Sequence, residues 1–270
     1  MAQPAIGVFD SGLGGLTVLS ALQQQLPNEH FIYLGDTARV PYGTKSAHSV
    51  TQYALQVAAR LRREDIKLLV VACNTASAMA LPAIQQAMPD LPVVGVIEPG
   101  AAAAIARSRS GHVGVIGTEG TVQRGAYTQA MGRLSASVRV SSRACSLFVA
   151  LVEEGWVSGP LVEAIVTEYL KPLQEEDPEL DTLVLGCTHF PVLRPVIQTV
   201  MGPAVTLVDS AETTAQAVRQ RLHTLGLEAG DDQTGTAQLW VTDGPERFAR
   251  VAGIFFGTPV KGSDVELIDL

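Results

Sequence analysis

Two stretches of the chain end an apolar run on a cysteine and follow it with hydrogen-bonding side chains: Leu69-Val70-Val71-Ala72-Cys73-Asn74-Thr75 and Leu183-Val184-Leu185-Gly186-Cys187-Thr188-His189. Each run reads as a buried strand, so each cysteine falls at a strand's carboxyl end, where ligands collect in open α/β sheets. One cysteine closing a buried strand is ordinarily a small core residue. The repetition of the plan is what marks both as chemical. A thiol titrates near pH 8.5, and a helix N-terminus or a neighbouring cation lowers that value, so both thiols are expected to be partly ionised at neutral pH. If the two strand ends face each other across a ligand, a base on one side of a carbon and an acid on the other can remove a proton and return it with inverted configuration. Asn74-Thr75 and Thr188-His189 are the expected caps of helices that begin there, and the N–H groups of those helices would bind carboxylates. No Arg or Lys pair accompanies either motif.

Other residue types weigh less by themselves. Asp10 stands before Ser11-Gly12-Leu13-Gly14-Gly15 at the end of an apolar run. It suits a turn or cap, and equally the holding of an amino group or the orienting of a base. The glycines are not a dinucleotide fingerprint, because Thr17 occupies the position of the third glycine. His189, two residues past Cys187, lacks further metal ligands at a recognisable spacing and is expected to work as an acid or as a thiol partner. Glu153 and Glu154 read locally as an exposed helix end, and Cys145, outside the paired pattern, as core.

The elements that must position these groups alternate short β-rich runs with helical spacing, the mark of a parallel α/β architecture. Strands are expected at 5–9, 30–34, 69–73 and 92–97. A glycine-rich turn precedes a helix built on Leu16, Leu19, Leu22 and Leu26. A polar loop over 35–45 precedes a helix capped by Ser46 or Ser49 and running to Arg63. Pro82 should kink or divide the helix after Cys73, and Glu98-Pro99-Gly100 should precede an alanine-rich helix. A second cycle then opens with a strand at 112–116. Its Gly114-Val115-Ile116-Gly117-Thr118 aligns with Gly7-Val8-Phe9-Asp10-Ser11 at an offset of 107, the cysteine strands align at 114, and Val208-Asp209 aligns with Ile97-Glu98 at 111. Three strand ends in one order at nearly one offset indicate two homologous halves. The stretches 108–111 and 174–180 read as solvated linkers and 225–235 as a polar loop. A last strand is expected at 237–241 and a last helix near 245–256.

Composition narrows the classes. The 270 residues, 47% of them apolar, suffice for one large or two ordinary domains. With 19 basic against 27 acidic side chains, a net charge of −8, neither nucleic acid nor an anionic membrane is an expected electrostatic partner. There is no signal-peptide pattern at the N-terminus and no run of roughly 18 apolar residues, so a cytoplasmic location is expected. Three cysteines without a CxxC pair indicate neither a disulfide framework nor a zinc ribbon, and the thiols are expected to be free and reduced.

Val8-Phe9-Asp10-Ser11-Gly12-Leu13-Gly14-Gly15, Pro41-Tyr42-Gly43, Ala72-Cys73-Asn74-Thr75-Ala76, Val96-Ile97-Glu98-Pro99-Gly100 and Gly186-Cys187-Thr188-His189-Phe190-Pro191 resemble, in order, the signatures of the bacterial glutamate racemases. The resemblance runs from the first strand to about Ser210. It implies interconversion of L- and D-glutamate without a cofactor, supplying D-glutamate for peptidoglycan. It implies two pseudo-symmetric α/β domains with the site between them, the first formed by 1–98 with 208–270 and the second by 99–207. In that pattern Cys73 matches the thiol that deprotonates D-glutamate and Cys187 the one that deprotonates L-glutamate. Asp10 and His189 match the groups that assist them, with Glu153 a helper near His189. Ser11, Tyr42, Gly43, Asn74, Thr75, Thr118, Thr121 and Thr188, together with Asp10 and His189, match positions that hold the substrate's carboxylates and amino group. Members often carry prolines where this chain has Ser146 and Ala150. Strand one starts almost at once, so the N-terminal extension tied in some members to activation by a cell-wall precursor is not expected. Rival readings are a related thiol enzyme, such as an aspartate racemase or an arylmalonate decarboxylase-like protein, and a non-catalytic role as a binding protein or gyrase inhibitor. Oligomeric state, a homodimer included, is left open.

Overall fold

The computed structural model describes residues 4–230 and 234–270; the 231–233 part of the expected polar loop lies outside the described residues, as do residues 1–3. In chain order the first cycle is β1 (Ile6–Asp10), α1 (Leu16–Gln25), β2 (Phe31–Gly35), α2 (Ala47–Arg62), β3 (Leu68–Val71), α3 (Asn74–Ala87), β4 (Val93–Gly95) and α4 (Ile97–Arg107). The second is β5 (His112–Gly117), α5 (Glu119–Arg124), α6 (Ala126–Leu134), β6 (Arg139–Ala144), α7 (Leu147–Glu153), α8 (Pro160–Glu176), β7 (Thr182–Gly186), α9 (Arg194–Met201), β8 (Thr206–Asp209) and α10 (Ser210–Leu225). The chain ends with β9 (Ala237–Val241), α11 (Pro245–Phe256) and β10 (Val265–Leu267).

The strands form two all-parallel sheets, ordered β10-β9-β2-β1-β3-β4 and β6-β5-β7-β8. The run β2-β1-β3-β4 has the same order as β6-β5-β7-β8. The three aligned strand ends of the sequence therefore occupy equivalent places: β1 with β5, β3 with β7, β4 with β8. Fold class and internal repeat are as expected, and β9 and β10 return to extend the first sheet. Parallel sheets need both faces covered, and β1, β2, β3 and β7 are buried along their whole length. One apolar core runs from α1 and β1 through α4 and α10 into β5, β7 and α8, and a second lies between α2, α3 and the opposite face of the first sheet. No helix among the described residues is long and apolar enough to cross a membrane.

Some local expectations need correction. The helix α3 runs unbroken through Pro82. The helix α4 begins at Ile97, so Glu98, Pro99 and Gly100 fall in its first turn and do not precede it; Pro99 is the third helical residue, where an N–H would have no intrahelical acceptor, so its ring removes no bond. The linker read over 174–180 is helical to Glu176, and Asp177 is buried, with His112 Nδ1 at 2.7 Å and the Ser141 hydroxyl donating at 3.2 Å.

Candidate active site

The carboxyl ends of β1 and β3 in one lobe and of β5 and β7 in the other open on one cavity of about 290 Å³, close to the range typical of small-molecule sites. Its wall includes Ser11, Gly12, Tyr42, Gly43, Cys73, Asn74, Thr75, Thr118, Glu153, Cys187, Thr188 and His189. The two cysteines, expected on the grounds of their equivalent settings, thus meet at one site. Sequence reasoning did not place Val40, Pro41, Thr44 or Val149 there; they too line the cavity, with Ser146 and Ala150. Asp10 and Thr121 do not. Asp10 is 1% exposed beneath the floor, and Thr121 stands behind Thr118.

Glycine is what allows the lobes to meet so closely. A Cβ on Gly14 would lie 2.2 Å from Thr188 Oγ1 and 2.4 Å from His189 Nδ1, and one on Gly43 would lie 2.8 Å from Thr118 Cβ. The Thr17 hydroxyl donates to the Thr188 carbonyl at 3.0 Å, also across the junction.

The settings of the two thiols differ in detail. Cys73 is itself the N-cap of α3, its sulfur accepting from the Ala76 N–H at 3.4 Å, with Ser11 Oγ also at 3.4 Å. Asn74 and Thr75 are therefore the first helical residues and not the caps. Cys187 is followed by a 3-10 turn at Phe190–Leu193, and the α-helix starts only at Arg194, so the helix expected directly after it is absent. The expectation of a partly ionised thiol fails at Cys73. Burial, reinforced by the nearby Asp10 carboxylate, pushes it up to about 12 against the opposing Ser11 and Ala76 contacts. As folded, Cys73 holds its proton at neutral pH and is an acid.

Around Cys187 the groups form a chain. His189 Nδ1 lies 3.9 Å from Cys187 Sγ and its Nε2 3.1 Å from Glu153 Oε1, while Arg247 donates to Glu153 Oε2 at 3.1 Å. Burial would lower the imidazole, but its contacts with Cys187 and Glu153 outweigh that and raise it to about 10. Burial would raise Glu153, and the His189 and Arg247 contacts turn it to the low side. An imidazolium beside a carboxylate results. Glu153, read locally as an exposed helix end, is thus partly buried and engaged. Burial raises the Asp10 carboxyl despite the opposing charge of His189 and the N–H groups of Gly12, Gly15 and Ser11.

The rest of the wall can hold an anion without a fixed cation, since no Lys or Arg lines the cavity among the described residues. Thr75, Thr118 and Thr121 form a triangle of hydroxyls with oxygen separations of 2.9, 3.0 and 3.3 Å. The Tyr127 hydroxyl donates to Asn74 Oδ1 at 2.8 Å, and the buried Asn74 Nδ2 is left without a protein acceptor. A buried donor of that kind costs free energy until a ligand accepts from it. Tyr42 spends its hydroxyl on Asp36, which Arg39 and Thr242 also hold, so Tyr42 and Gly43 offer the cavity their ring and backbone.

Comparison with known proteins agrees with this geometry. The family model for Asp/Glu/Hydantoin racemase matches residues 6–218. A glutamate racemase of Geobacter metallireducens is 53% identical over 257 residues, 95% of this chain and 94% of the relative. Among solved structures, a glutamate racemase isoform from Bacillus anthracis superposes with a TM-score of 0.93 at 39% identity, covering 99% of this chain and 98% of that one. The enzyme from Francisella tularensis, solved with D-glutamate, gives 0.91 at 35% identity and the same coverage.

Proposed function

This chain belongs to the Asp/Glu/hydantoin racemase family, among its glutamate racemases, and from that premise we propose that it interconverts L- and D-glutamate with two opposed thiols and no cofactor. The observation that carries the reading is that Cys73 and Cys187, at the ends of the equivalent strands β3 and β7, line one cavity from different lobes. Starting from L-glutamate, the thiolate of Cys187 takes the α-proton, in a pair with His189 that Glu153 orients. Cys73, whose proton burial retains, delivers its own to the opposite face. From D-glutamate the roles reverse, and the thiolate of Cys73 is held by the Ser11 and Ala76 contacts. The Asp10 carboxylate below the floor faces both Cys73 and His189 electrostatically and assists the first. Carboxylates of the substrate fall to the Asn74 amide, the hydroxyls of Ser11, Thr75, Thr118 and Thr188, and the backbone of Tyr42 and Gly43.

The lobe division 1–98 with 208–270 against 99–207, the supply of D-glutamate for peptidoglycan and a cytoplasmic location belong to the same proposal. A circular dichroism time course tests it. Either enantiomer of glutamate should decay to zero ellipticity without added cofactor, whereas aspartate should be unchanged. Turnover of aspartate alone would replace the substrate assignment.

A further inference from the structure

The helix α11 belongs to the part of the chain that returns to the first sheet, yet it touches the acid–base machinery of the other lobe at two points. Arg247, in its first turn, donates to Glu153 Oε2 at 3.1 Å. Phe255, two turns further on, presents its ring at 5.3 Å and nearly perpendicular to that of His189. We propose that Arg247 is a positioning residue for the Cys187–His189 pair, acting through Glu153; the inference rests on the racemase reading above.

The geometry gives the reason. Glu153 has two carboxylate oxygens, one facing His189 Nε2 and the other engaged by Arg247. With both engaged, the carboxylate plane is fixed and the imidazole is held with Nδ1 towards Cys187. Without the guanidinium, Oε2 turns to water and the plane is free to rotate away from His189. A purely structural role fits less well, because the Arg247 side chain is 48% exposed and ion pairs that open to solvent add little to stability. The charged groups that meet Glu153 are His189 and Arg247; those that meet His189 are Glu153 and Cys187, with Asp10 at longer range. Both cations keep Glu153 ionised. Taking one away moves its protonation to higher pH, and a neutral Glu153 no longer holds the imidazolium.

The test compares wild type with Arg247→Met, Arg247→Lys, Glu153→Gln and the Glu153→Gln/Arg247→Met double variant, with kcat and KM measured for both enantiomers from pH 3 to 10, a range that spans the low-side titration of Glu153. Arg247→Met should lower kcat about tenfold with KM within about twofold, while in the Glu153→Gln background it should add nothing. The acid limb of its kcat/KM profile should rise by about half a pH unit, the small figure reflecting solvent screening. Arg247→Lys should recover most of both effects, and the melting temperature should hardly move. Because the two enantiomers have equal free energies, kcat/KM must fall equally in both directions. An unchanged pH profile in Arg247→Met, or a full additional loss in the double variant, overturns the inference while leaving the racemase reading standing. A wild type inert towards both enantiomers overturns that reading and this inference with it.

Discussion

Replacing Gly14 by alanine adds one methyl group at the junction of the lobes. Its carbon would stand 2.2 Å from Thr188 Oγ1, 2.4 Å from His189 Nδ1 and 2.6 Å from His189 Cε1, where ordinary contact begins at 3.4 Å. His189 must retreat by about 1 Å, and a misplacement of that size at a reacting group costs about 100-fold in rate. The retreat has nowhere cheap to go, since Phe255 meets the ring and Glu153 holds Nε2 at 3.1 Å. Overpacking of this kind destabilises by about 1–3 kcal/mol, which for a chain of this size lowers the melting temperature by about 2–12 °C. Gly132→Ala is the control: it lies in α6 with nothing within 4 Å of the added carbon, and should be neutral or slightly stabilising. The assay is initial-rate racemisation beside thermal unfolding for both variants. A Gly14→Ala protein within threefold of wild-type activity would refute the claim that this contact sets His189.

Cys73→Ser and Cys187→Ser should each lose nearly all racemisation, because a hydroxyl is too weak an acid to serve as a base near neutral pH, whereas Cys145→Ser should keep most of it; steady-state rates with both enantiomers decide. His189 is raised from 6.5 to about 10 in the folded chain, so its contribution to stability is complete below about pH 6.5 and is lost as pH rises towards 10. The difference in melting temperature between wild type and His189→Asn should therefore shrink across that window, and a difference that grew with pH would contradict the assignment.

The strand-and-turn plan was legible because buried parallel strands are short apolar runs punctuated by glycine, and it carried the site as far as the two cysteines and Asp10 and gave the strand at 237–241 and the helix near 245–256, whose return to the first sheet only the family resemblance implied. What the pattern could not supply was set by contacts between distant residues. The thiol of Cys73 looks activated when read beside a helix N-terminus, but the burial and Asp10 charge that hold its proton come from the packed fold. Thr188-His189-Phe190-Pro191 looks like a helix start after Cys187; the chain instead makes a 3-10 turn, which leaves His189 free to face Glu153. Arg247 and Phe255 sit on an amphipathic helix like many others, and no local signal says that this helix crosses to His189. Only the C-terminal strands' return to the first sheet brings it there.

The central claim is that Cys73 and Cys187 act from opposite faces of one carbon, and proton exchange in deuterated water addresses it most directly. The proton removed stays on the first cysteine while the second delivers one drawn from solvent. At low conversion, L-glutamate should give D-glutamate labelled at the α-carbon while the remaining L-glutamate stays almost unlabelled, and D-glutamate should give the mirror result. Mass spectrometry of the separated enantiomers reads both. Early label in the recovered substrate at a rate comparable to turnover, or unlabelled product, would mean a single base serving both faces and would contradict the account.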